Sequence, residues 1–90
     1  MIDERDVEAK FCKKVKAIGG WPLKFVSPGT SGVPDRLVLL PDGRARFAEI
    51  KKPGKTMRPL QKRVAEKIER LGFKVWLIDG DEAIEEFLGR

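Results

Sequence analysis

The segment Pro41-Asp42-Gly43 separates two apolar-rich runs, Arg36 to Leu40 and Arg44 to Ile50, and this leaves the middle of the chain little choice of local structure. Turn residues between such runs signal a β-hairpin. With a three-residue loop and Gly43 at the left-handed position of a bulged turn, Leu40 faces Arg44 and Asp35 faces Glu49. A two-residue Asp-Gly loop would instead move the partner of Asp35 to Ile50 and leave the two carboxylates diagonal. In the first register their Cβ atoms stand about 4.5 to 5.5 Å apart, where like charges weaken a hairpin. A cation held between them explains the placement better than folding needs do. Lys51 points to the same face as Glu49, about 6.5 to 7 Å further along. Glu-x-Lys alone reads as a weak ion pair on a solvated face. Here, however, the Gly- and Pro-rich stretch from Pro28 to Pro34 delivers Asp35 from a loop onto the start of a strand.

Composition narrows the chemistry by exclusion. The 90 residues contain no histidine, so histidine general bases and Ser-His or Cys-His triads are unavailable. A single cysteine, Cys12, excludes an intramolecular disulfide and Cys-rich zinc modules. Carboxylates, lysines and a hard cation remain, and oxygen donors suit Mg²⁺ or Mn²⁺ better than zinc. With no apolar run long enough to span a bilayer and no basic-then-apolar leader, the expectation is a soluble, intracellular (cytoplasmic) protein. A domain this small buries only about 60 to 65% of its unfolded surface, so a homodimer would help its stability.

The net charge is +5, unevenly spread. Residues 44 to 63 hold Arg44, Arg46, Lys51, Lys52, Lys55, Arg58, Lys62 and Arg63 against the single acid Glu49. Residues 64 to 90 are net acidic. A positive field centred on the carboxylate pair points to a polyanion. Arg46, Lys52, Lys55, Arg58 and Lys62 are the candidate phosphate contacts, and Lys10, Lys13, Lys14 and Lys16 could extend the surface.

The expected scaffold is a single α/β domain in the order αβββαβα, a mixed sheet flanked by helices. Asp3 and Asp6 form a weak capping box opening a helix to about Ala17, with Val7, Phe11, Val15 and Ile18 as its core stripe and Glu8 at the stripe's boundary. Trp21 to Val26 is the first strand, with Pro22 suggesting an edge. After the hairpin, a helix from about Arg58 to Leu71 carries Leu60, Val64, Ile68 and Leu71 on one side, with Arg58 and Gln61 beside them. Phe73 to Ile78 is a nearly continuous apolar strand, a composition expected of an interior position, and Asp81 caps a last helix holding Ala83, Ile84, Phe87 and Leu88.

Taken in order, Glu8, Gly32-Val33-Pro34-Asp35, Glu49-Ile50-Lys51 and Gln61 resemble the virus-type replication-repair nuclease domain, a branch of the PD-(D/E)xK nuclease superfamily. The resemblance runs from Glu8 to about Ile78 and implies a restriction-endonuclease-like core. It further implies that Asp35 and Glu49 ligate Mg²⁺ or Mn²⁺ with the backbone carbonyl of Ile50, that Lys51 orients or helps activate the attacking water, and that Glu8 and Gln61 complete the site.

The expected function is therefore metal-assisted hydrolysis of DNA phosphodiesters. Stand-alone members of the family resemble phage or prophage enzymes acting on branched DNA, and paired sites on a two-fold dimer would suit a four-way (Holliday) junction. Two other classes stay open: a sequence-specific restriction-type endonuclease using the same chemistry, and a non-catalytic DNA-binding module with vestigial carboxylates.

Overall fold

A computed structural model describes residues 1–89. The element order is α1 (Glu4–Ala17), β1 (Trp21–Lys24), β2 (Arg36–Leu39), β3 (Ala45–Ile50), α2 (Pro59–Arg70), β4 (Val75–Ile78) and α3 (Asp81–Leu88), the αβββαβα order expected. The four strands lie side by side in sequence order. β1, β2 and β3 form an antiparallel meander, and α2 carries the chain back so that β4 joins β3 in parallel.

Helix α1 starts where Asp3 accepts from the Asp6 amide at 3.0 Å and Asp6 accepts from the Asp3 amide at 2.9 Å. This reciprocal box satisfies amide donors that the first turn leaves unbonded. Val7, Phe11 and Val15 then meet Val38, Leu40, Ala48, Ile50 and Ile78 of the sheet region and Ile84 and Phe87 of α3 in one buried cluster. Phe11 and Phe87 are both fully buried and pack edge to face, with ring centroids 5.0 Å apart. The opposite sheet face is thinner. There Phe47 lies between Phe25 and Phe73, and α2 lies over it with only Ala65 buried.

Four expectations need correction. β4 lies at the edge of the sheet, not its interior. It reads apolar because helices cover both its faces, and two-sided cover produces that composition at an edge as well as at the centre. The Val75 amide accordingly turns away from the ladder, to Glu69 Oε2 at 3.2 Å. Asp81 is the first residue of α3, not its cap: Gly80 precedes the helix, and Asp81 is held by Lys10 at 2.8 Å. The α2 stripe is only partly core, since Leu60 and Leu71 are exposed. The strand ends are shorter than expected, at Lys24 for β1 and Val75 for β4. Pro22 does sit on an edge strand. No helix among the described residues is long and apolar enough to cross a membrane.

The unequal layers predict unequal sensitivity. Phe87→Ala should cost about 3 to 5 kcal/mol of unfolding free energy by urea titration, whereas Leu71→Ala should stay within about 0.5 kcal/mol of the parent.

Candidate active site at the open end of the hairpin

The hairpin register brings the carboxylates together. Gly43 is left-handed, with φ 85°, and its amide reaches the Leu40 carbonyl at 3.0 Å, while the Leu40 amide reaches the Arg44 carbonyl at 2.9 Å. The loop is thus the three-residue form, and the two-residue alternative is not taken. β2 and β3 pair from Leu39 opposite Ala45 to Arg36 opposite Ala48. One more step sets Asp35 opposite Glu49, and the next sets Pro34 opposite Ile50.

Pro34 changes the chemistry of that last step. Proline has no amide hydrogen, so it can return no hydrogen bond to the Ile50 carbonyl. The Ile50 amide is taken by Asp35 Oδ2 at 2.8 Å. The ladder therefore ends with a carboxylate fixed by a main-chain donor beside a carbonyl that has no amide facing it from β2.

Glu49 and Lys51 are both buried, 3% and 6% exposed. Lys51 Nζ lies 3.5 Å from Glu49 Oε2, as strand alternation required. Burial, and secondarily the charge of Asp35, raise Glu49 from the usual 4.5 to about 7 against the opposing pull of Lys51. Two carboxylates and one ammonium in a dehydrated place leave negative charge uncompensated. Asp35, Glu49 and the Ile50 carbonyl make a hard oxygen donor set of the kind that Mg²⁺ and Mn²⁺ take together with water. Among the described residues no group of three or more His, Cys, Asp and Glu side chains could hold a metal ion.

Glu8 and Gln61 stand differently from this pair. Glu8 is held by Arg36, Nε to Oε2 at 3.0 Å, while Arg36 Nη1 reaches the Pro22 carbonyl at 3.0 Å. Arg36 follows Asp35 directly, and alternation sends it to the opposite sheet face, beneath α1. The ion pair lines an open cavity of about 650 Å³ with Cys12 and Lys16. Arg36 was the residue not singled out from sequence, although its place next to Asp35 foretold its face. Gln61 is half-buried, and its Oε1 accepts from the Arg58 amide at 2.9 Å, capping the start of α2.

The basic residues separate into two groups. Arg46 lies toward the turn end of β3, away from Glu49. Its guanidinium donates to the Phe87 carbonyl and stacks over Trp76 and Phe87, at 5.2 and 5.6 Å from the ring centroids. It serves the end of α3, where a cation is favoured. Lys10 and Lys14 are likewise engaged, with Asp81 and Glu85 at 2.8 Å each. Lys52, Lys55, Arg58 and Lys62 are exposed. They follow Lys51 directly along the connection into α2.

No protein-family model matches the sequence. The chain is 43% identical over 82 residues to the p44 protein of Acyrthosiphon pisum secondary endosymbiont phage 1, which bears a provisional nuclease name, with 91% of this chain and 88% of that protein covered. A solved structure described as a VRR_NUC domain superposes with a TM-score of 0.88 at 28% identity, over 97% of this chain and 95% of the other. Fold, site order and sequence likeness agree, and the chain belongs to the virus-type replication-repair nuclease (VRR-NUC) family of the PD-(D/E)xK superfamily.

Proposed function

We propose that this protein is a Mg²⁺- or Mn²⁺-dependent DNA endonuclease of phage or prophage origin. It is selective for branched DNA such as four-way junctions and works as a homodimer. The observation that carries the reading is the half-buried Asp35 set against buried Glu49 and Lys51, opening onto exposed Lys52, Lys55, Arg58 and Lys62. The nuclease name carried by p44 points the same way.

Asp35 and Glu49 would hold the cation, with the Ile50 carbonyl as a third donor. Bound there, it supplies Lewis acidity toward the scissile phosphate and lowers the pKa of the attacking water. Lys51 Nζ, kept near Glu49, orients that water and stabilises the charge that grows on the phosphate. The exposed cations grip backbone phosphates, which carry no sequence information. That favours recognition of shape over sequence. Two sites related by a dimer axis would cut opposing strands of a junction.

The direct test is a panel of linear, flapped, forked and four-way DNAs with Mg²⁺ or Mn²⁺. Preferential cutting of the four-way junction is expected, and discrete cuts on linear duplex would favour a restriction-type enzyme instead. Asp35→Asn should lose both cleavage and the rise in melting temperature that Mn²⁺ gives the parent. Lys51→Ala should lose about 10²- to 10³-fold in kcat yet keep the Mn²⁺-induced rise and most DNA affinity. The buried Glu49 also sets a pH dependence. Its pKa is higher folded, about 7, than unfolded, so the folded state binds the extra proton between these values. Stability in chelator should then fall as pH rises from about 4.5 to 7, by about 3 kcal/mol, and level off above. Asp81, lowered by its hydrogen bond and ion pair with Lys10, acts in the opposite sense at lower pH. Glu49→Gln should flatten the slope between pH 5 and 7 in thermal melts, and a persisting slope would assign it elsewhere.

A further inference from the structure

Gly32 sits where a side chain cannot be added without moving something. Its φ is +85°, and a Cβ built there would lie 2.9 Å from Leu60 Cγ, 3.3 Å from the Leu60 carbonyl oxygen and 3.3 Å from Val64 Cγ2. The loop backbone thus presses directly on the first two turns of α2. We propose that Gly32 is a positioning residue for the reaction: its bare backbone seats the start of α2, with Arg58, Gln61 and Lys62, against the segment that delivers Asp35. The inference rests on the nuclease reading above.

The two sides of the contact differ in firmness. Only Val33 and Pro34 separate Gly32 from Asp35, and Pro34 is buried. The Asp35 carbonyl accepts from the Phe25 amide at 2.9 Å and its carboxylate accepts from the Ile50 amide at 2.8 Å. The loop side is therefore pinned to both neighbouring strands. α2 buries only Ala65 and leaves Leu60 43% exposed. A methyl group at position 32 accordingly displaces α2, not Asp35. The carboxylate pair keeps its geometry, while Arg58, Gln61 and Lys62, on either side of Leu60, lose their alignment with it.

The test compares the parent with Gly32→Ala, Gly32→Asn, Leu60→Ala and the Gly32→Ala/Leu60→Ala double variant. Each is assayed on a four-way DNA junction with Mn²⁺, with rates scaled to the folded fraction measured by circular dichroism. Asparagine tolerates positive φ but carries a Cβ, so it isolates crowding from backbone strain and provides a folded variant if alanine does not. Both single substitutions at Gly32 should lower kcat about 10- to 100-fold with the Mn²⁺-induced rise in melting temperature kept. Leu60→Ala alone should stay near the parent. The double variant should recover most of the lost kcat, because removing Leu60 Cγ clears the closest contact. Parent-like kcat in Gly32→Asn, or no recovery in the double variant, would overturn the inference while leaving the nuclease reading intact. A parent that cleaves no DNA would overturn both.

Discussion

The bond from the Ile50 amide to the Asp35 carboxylate is the contact around which the candidate site is organised. Asp35 takes the Ile50 amide at the point where the β2–β3 ladder ends, and Pro34, opposite Ile50, has no amide to return to the Ile50 carbonyl. The bond holds Asp35 against a buried Glu49, and that arrangement is costly by itself, as the raised pKa of Glu49 records. Lys51 offsets part of the cost. A hairpin optimised for stability alone would not bury a glutamate against a facing carboxylate, and local conflicts of this kind concentrate at functional sites.

The rest of the fold makes that conflict tolerable. The stronger half of the core, with α1 and α3 packed on one sheet face, is an apolar cluster that fixes β2 and β3 from behind. The weaker half, under α2, is the side on which Glu49 and Lys51 lie. Rigid strands therefore hold the charged groups, while a lightly buried helix flanks them and carries exposed cations. Division of labour among the basic residues follows the same line. Lys10 and Lys14 of α1 and Arg46 of β3 are spent on α3, and Lys52, Lys55, Arg58 and Lys62 face solvent.

Local signals in the sequence were strong enough to determine the hairpin, the common side of Glu49 and Lys51, and the order of elements; they left a three-residue and a two-residue turn open, and the structure takes the first, which faces Asp35 with Glu49. Each signal depends on a period of two or on turn chemistry, which operate over a few residues. Tertiary structure alone decided the rest. The edge place of β4 depends on which strand the chain returns to, and two-sided burial gives the same composition at either place. Glu8 faces Arg36, Gln61 caps its own helix, and Arg46 turns to the end of α3. Charge and periodicity put these residues near a boundary, but their partners lie on elements distant in sequence, and long side chains go where packing leaves a counter-group. The close approach of Gly32 to Leu60 is of the same kind: a glycine in a loop announces freedom, and only the packed helix shows what that freedom is for.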